Sequence, residues 1–250
     1  MSKPIPITPI PYRCLYSVNI SNLFFASRCS SFTHIGLGST RVEATLASFG
    51  QAVGVAAALC NKYSCTPRDI YKSHLKELKQ QLLFDDHTIL GETNEDDSDI
   101  ARKASVTATS YLRANDGTSN LPKNVINGKI RKDDMSNNAW VSDEKFGLPA
   151  SITLTFDKKE KVSMVQITAD TDLMYPRYSY QPAPEYNLTA SDFTIEIKNN
   201  GQWKKVGEVK DNFIRQNRVK FDAVCADAVK ITVTKTLGCN FAKINEIRIY

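Results

Sequence analysis

The hydrophobic period of this chain changes once, from the 3.6 residues of a helix to the two residues of a strand. The change falls across a single acidic stretch. Residues Gly91 to Asp99, GETNEDDSD, gather acids and turn formers without apolar partners, the composition of a solvated connection. One regular architecture does not hold both periods, so the break predicts two bodies: residues 1–91, a linker over 92–100, and residues 101–250. A chain of 250 residues that is 42% hydrophobic and 24% charged has enough apolar side chains for both.

Beyond the break the pattern is that of half-buried strands. ASITLTF alternates Ile152, Leu154 and Phe156 against Ser151, Thr153 and Thr155. DFTIEIK alternates Phe193, Ile195 and Ile197 against Thr194 and Glu196, and AVKITVT repeats the pattern with Val229, Ile231 and Val233. Further strands fit ASVTATSYL, KVSMVQITA, QWKKVGEVK, NRVKFDAV and KINEIRIY, and NNGQW reads as a hairpin turn. About eight strands separated by turn signals predict an antiparallel β-sandwich or jelly roll.

Ahead of the break the expectation is helical. NLFFA, residues 22–26, reads as a short buried strand. A helix is predicted from about Ser39–Arg41 to about Lys62, and a second after CTPRD, with Thr66 as N-cap and Pro67 at the first helical position. Ile70, Leu75, Leu78 and Leu82 give the second helix one apolar stripe. The first has no polar face: Leu46, Phe49, Val53, Val55, Ala57 and Leu59 surround its axis. A helix of that kind needs cover on every side, and the residues around it are too few to supply it. The N-terminal segment therefore reads as part of a larger body.

Several function classes are disfavoured. The net charge is only +5, without a dense Lys/Arg tract, which argues against nucleic acid. The six cysteines lack both CxxC spacing and the density of a disulfide framework. The opening residues carry no continuous apolar run, so no secretory signal is expected in this chain. Ala44–Cys60 is shorter than the ~20 residues of a membrane span and is interrupted by Thr45, Ser48 and Gln51. A soluble chain without a membrane span is the expectation.

Two families carry these features. Pro11 to about Leu90, with PYRCLYS, NLFFASR, THIGLGSTRV, GQAVGVAAALC and CTPRDIYKSHLKEL in order, resembles the C-terminal end of bacterial FAD-dependent oxidoreductases with a glutathione-reductase-like fold. ARKASVTATS, NVINGK, NAWVS and INEIRIY resemble a discoidin domain, also called coagulation factor 5/8 type C, of the galactose-binding-like superfamily. The expected fold class is thus α+β multidomain: a small helical remnant of a flavin domain followed by a galactose-binding-like jelly roll.

The resemblance implies roles for particular residues. Arg28, Ser39, Thr40, Arg41 and Val42 would face FAD, the last four by leading a helix N-terminus toward the flavin ring, where unpaired N–H groups favour negative charge. His34 would stand on the substrate side as a catalytic hydrogen-bonding or proton-passing group. Ser27 replaces the glycine usual in that family beside the ribityl chain. In the discoidin-like half, Tyr175, Arg177, Tyr178 and Tyr180, in the loop Asp172–Tyr186, would bind a glycan. Asp133, Asp134 and Glu246 would offer oxygens to Ca²⁺. The dinucleotide fingerprint GxGxxG is missing: the one GxG is Gly36-Leu37-Gly38, and Arg41 stands where the third glycine belongs.

The chain therefore reads as a truncated flavoenzyme homologue that does not retain FAD and is inactive by itself, its missing nucleotide-binding part supplied in trans or by an oligomer. The alternative is a non-catalytic carbohydrate- or protein-binding module with a helical docking segment.

Overall fold

The computed structural model describes residues 9–131, 138–171 and 188–250. The chain forms two compact units, residues 1–94 and 95–250.

In the first unit a 3-10 turn, Tyr12–Leu15, precedes helices α1 (His34–Thr40), α2 (Glu43–Tyr63), α3 (Pro67–Asp69) and α4 (Leu75–Phe84), with a π-helical turn over Ile70–His74 joining the last two. The helix expected to begin near residue 39 is two helices. Arg41 closes α1 by donating its N–H to Leu37 O at 3.2 Å, and Val42 is extended, so α2 starts afresh at Glu43. Ser64, at φ 50°, stops α2 in the left-handed region, and the Cys65 N–H donates back to Cys60 O at 3.0 Å. The next helical stretch opens on the expected cap: Thr66 N–H and Oγ1 both donate to Asp69 Oδ2, at 3.0 and 2.6 Å.

NLFFA is not a full strand. Tyr16 and Phe24 form an isolated antiparallel bridge, flanked by Ser17 N–H to Leu23 O at 3.0 Å and Phe25 N–H to Leu15 O at 2.8 Å. A two-stranded ribbon has no third strand to extend its ladder.

The helical core joins Phe49, Ala52, Ala56 and Leu59 of α2 to Ile70, Leu78, Leu82 and Leu15. The apolar stripe of α4 is met by one face of α2, and the rest of α2 is largely open. Only 22% of its most apolar 18-residue window is buried. Gly50 and Gly54, whose spacing suggests close approach to a neighbouring strand, have nothing within 4 Å of where a Cβ would stand.

The second unit begins with a 3-10 turn, Ile100–Lys103, and holds β1 (Ser105–Ala108), β2 (Trp140–Val141), β3 (Ala150–Ala169), β4 (Ala190–Asn199), β5 (Gln202–Val209), β6 (Gln216–Thr236) and β7 (Lys243–Ile249). Two pairs of strands expected separately are continuous, ASITLTF with KVSMVQITA as β3 and NRVKFDAV with AVKITVT as β6. These long strands pair antiparallel throughout, with register shifts between Thr155 and Glu160 and between Val162 and Met164. Ahead of the shifts β3 also pairs with β1, and after them with β7, while β6 pairs with β4 only through its second half. Bulges of this kind let a strand pass from one layer to the next. Ile152, Leu154, Phe193, Ile195 and Ile231 from one part then share a core with Val165, Ile167, Ile244, Ile247 and Ile249 from the other.

One local expectation is met directly. The NNGQW turn has Asn200 at φ 51° and Gly201 at φ 83°, pairing Asn199 with Gln202, as a type I′ hairpin requires. Trp140 is fully buried, its Nε1–H donating to Ser110 O at 3.0 Å. The acidic stretch is not solvated throughout: Asp99 is 2% exposed, and its Oδ1 accepts from Ala101 N and Ile249 N at 3.1 and 3.0 Å.

Candidate functional site

Among the described residues of the β unit, the β5–β6 and β6–β7 turns and the stretch after β2 gather at the end of the sandwich away from Asp99 and the closing strand terminus. Asn212 organises the β5–β6 loop: its Nδ2 donates to Ala190 O and Ile214 O, each at 2.9 Å, and its Oδ1 accepts from Ile214 N at 3.1 Å. Asp192 ties the same loop to β4, accepting from Ser191 Oγ at 2.6 Å and Asp211 N at 3.1 Å. These donors hold the Asp192 carboxyl below its ordinary range. Arg215 binds Ala169 O at 2.8 Å through Nη1 and reaches Ile130 O through Nη2. The largely buried ion pair Lys243–Asp170, at 2.9 Å, joins β7 to the end of β3. Leu237 N–H donates to Thr189 O at 3.1 Å, and Asn240 Nδ2 to Glu144 O at 3.4 Å.

Around this rigid base the loops raise apolar side chains into solvent. Phe213 is 78% exposed and Phe146 77%, with Ile214 and Leu237 also exposed. Exposed rings among satisfied polar loops can stack on the C–H face of a sugar, while nearby backbone and side-chain groups take its hydroxyls. Phe146 and Phe213 were not singled out by the sequence pattern. The available signal was an aromatic inside a turn, DEKFG and KDNFIR, where strand alternation gives it no buried place. Tyr175, Arg177, Tyr178 and Tyr180 lie outside the described residues.

The expected flavin-facing residues occupy one stretch of the helical unit. His34 opens α1 and is exposed, as are Arg28, in the turn after the Phe24 bridge, and Arg41, at the C-terminus of α1. Ser39 lies within α1. Thr40 is buried, its Oγ1 donating to Gly36 O at 3.1 Å, so its hydroxyl serves the helix. Val42 precedes α2, and no side chain caps that helix N-terminus. Among the described residues no strand–turn–helix with a glycine fingerprint accompanies them.

For the metal, Asp133 and Asp134 lie outside the described residues. Glu246 is buried on β7, where its Oε2 accepts from Arg248 Nε at 2.8 Å, both side chains nearly inaccessible. A guanidinium already balances that carboxylate, which fits an ion pair better than a calcium ligand. No group of three His, Cys, Asp or Glu side chains suited to a metal occurs among the described residues.

The fold and loop arrangement define a helical segment followed by an antiparallel β-sandwich. Residues 4–82 match the family model described as FAD dependent oxidoreductase. Among solved structures, the chain is similar to the family 32 carbohydrate-binding module from Streptococcus pneumoniae EndoD (19% identity, TM-score 0.48, covering 61% of this chain and 99% of that one). It is also similar to the family 32 module from C. perfringens NanJ in complex with galactose (25% identity, TM-score 0.45, 61% and 97%). A third is CpGH89CBM32-5 from Clostridium perfringens in complex with GalNAc-beta-1,3-galactose (20% identity, TM-score 0.45, 60% and 96%). No curated protein matches the chain.

Proposed function

We propose that the helical unit is the flavin-facing end of an FAD-dependent oxidoreductase domain and that the β unit binds carbohydrate. The observation that carries the first half is the open face of α2 within the matched residues 4–82. Of its 21 residues, only Phe49, Ala52, Ala56 and Leu59 are buried. Such a face is covered by further protein in the working state. The helix is long and apolar enough to cross a membrane, yet its packed side belongs to a globular core with α4.

Bound FAD would supply hydride chemistry. Toward it, Arg41, Val42 and the N–H groups at the start of α2 would stabilise negative charge on the ring. Arg28 would approach the ribityl chain, and His34 would bind substrate or pass its proton. The given sequence has no pyrophosphate-binding turn, so this chain holds FAD weakly until a nucleotide-binding part completes the site. Calcium is left out of the proposal because Arg248 already balances Glu246.

In the β unit, the exposed Phe146 and Phe213 would contact the sugar, and Tyr175, Arg177, Tyr178 and Tyr180 would also bind it. The flavin spectrum of purified protein, before and after excess FAD and removal of the unbound portion, tests the first half. No retained flavin band is expected, and a stoichiometric band would overturn the incomplete-site reading. Calorimetric titration with galactose tests the second. Binding weakened by Phe213→Ala is expected, and no heat with any of a panel of hexoses would overturn it.

A second reading, a docking module without redox chemistry, is favoured by the same open face if a copy of this chain covers it. A monomer in sedimentation would remove that reading.

A further inference from the structure

The outward face of β4, β5 and β6 carries an aromatic group that the core does not use. From Phe193 onward the buried side chains of β4 are Phe193, Ile195 and Ile197, so Thr194, Glu196 and Lys198 point away from the core. Trp203 on β5 pairs directly with Lys198, which puts the indole on that outer face, and it is 37% exposed. Two ammonium groups gather at the ring: Lys230 Nζ stands 4.4 Å from its centroid and Lys198 Nζ 5.9 Å. Lys230 is also paired with Glu196 at 2.7 Å. The rest of the face is rich in hydroxyls. Thr153, Lys230, Glu196 and Lys205 lie in one cross-strand row, and Ser151, Thr232 and Thr194 in the next, with Ser151 Oγ and Thr232 Oγ1 2.8 Å apart.

We propose that this face is a second glycan site, for a uronate-bearing polysaccharide lying along the strands. The pyranose C–H surface stacks on the Trp203 indole, the uronate carboxylates pair with Lys198 and Lys230, and the hydroxyl row accepts and donates to the sugar hydroxyls. One lysine suffices for a cation–π contact, and Lys198 is at the outer limit of that range. Two ammonium groups over one ring suit an anionic group above the indole. An open sheet face suits the middle of a chain rather than its terminal sugar. Trp203 is six residues from Val209, so about 20 Å separates this face from the loop end, and the proposal does not rest on sugar binding there.

The test is electrophoresis of the full chain through native gels with and without polygalacturonate, using neutral galactan as the control polymer. Polygalacturonate should retard the wild type and galactan should not. Trp203→Ala, which leaves the net charge unchanged, should lose about tenfold in affinity, Trp203→Phe should keep most of it, and Lys198→Ala with Lys230→Ala should abolish retardation. Circular dichroism checks that each variant is folded. Acrylamide quenching of the wild type supplies a second readout: Trp140 is fully buried, so quenching reports Trp203. Polygalacturonate should protect it. An unretarded wild type would overturn the proposal, as would retardation unchanged by Trp203→Ala, which would mean attraction by charge alone or binding at the loop end. Galactose binding in calorimetry, with no effect on Trp203 quenching, keeps the two sites distinguishable.

Discussion

Replacing Asp99 with asparagine should stabilise the β unit at neutral pH and change it little in acid. Asp99 is buried where the chain enters that unit, with Oδ1 accepting from Ala101 N and Ile249 N. Burial pushes its carboxyl up from the ordinary 3.8 to about 6, against the pull of those two donors and of Arg248. A carboxyl raised in the folded state is more protonated there than in the unfolded chain. Its contribution is therefore most favourable below about pH 4, falls as pH rises from about 4 to 6, and stays low above that. The gap corresponds to about 3 kcal/mol between the two ends. Asparagine has no charge to desolvate and keeps a carbonyl oxygen for the two backbone donors. After allowing for the loss of charge-assisted hydrogen bonds, the variant should gain about 1–3 kcal/mol at pH 7. Urea unfolding followed by tryptophan emission is the assay, since Trp140 and Trp203, the two tryptophans of the chain, both lie in the β unit. The comparison runs at pH 4, 5, 6 and 7. A difference between wild type and variant that does not change with pH would refute the reasoning, as would a variant less stable at pH 7.

Other outcomes follow from packing. A Cβ on Gly207 would stand 2.6 Å from Val219 Cγ1, so Gly207→Ala should cost about 1–3 kcal/mol in the same urea assay, with recovery when Val219→Ala is added. Glu246→Gln should cost about 3–5 kcal/mol by leaving the Arg248 guanidinium buried without its carboxylate, whereas Glu246→Leu with Arg248→Met should recover most of it. Phe49→Ala, on the packed face of α2, should cost the helical unit about 3–5 kcal/mol by circular dichroism, and Ala57→Ser, on the open face, close to none. Burial and then the neighbouring Cys65 push the Cys60 thiol up to about 11. A maleimide at pH 7.5 should therefore label Cys60 well after the exposed Cys29 and Cys225.

How much was legible in the sequence depends on how local its cause is. The Thr66–Asp69 cap, the Asn200–Gly201 turn and the alternation along β4 are fixed by residues a few positions apart, and each is found where expected. The failures share the opposite cause. ASITLTF and KVSMVQITA read as two strands because their periodicity is interrupted, but the interruption is a set of bulges inside one strand, which only its pairing with β6 and β7 reveals. Asp99 looks like one more solvated acid until the closing strand delivers Ile249 N to its carboxylate. Glu246 looks like an oxygen donor for a cation until Arg248 is found beside it, two positions along the same strand. Phe146 and Phe213 are not legible as exposed, because nothing in a turn sequence says that an aromatic there is left in solvent.

The sequence alone determined the division into a helical and a strand-built part, the alternation that separates core from surface, and the absence of a dinucleotide fingerprint from this chain. Those properties depend on residue type and short-range spacing. Tertiary structure decided which side of α2 is packed and which is open, which loops meet at one end of the sandwich, and which charges are balanced inside it. Each of these is set by groups distant in sequence brought into contact, and no local pattern encodes the partner.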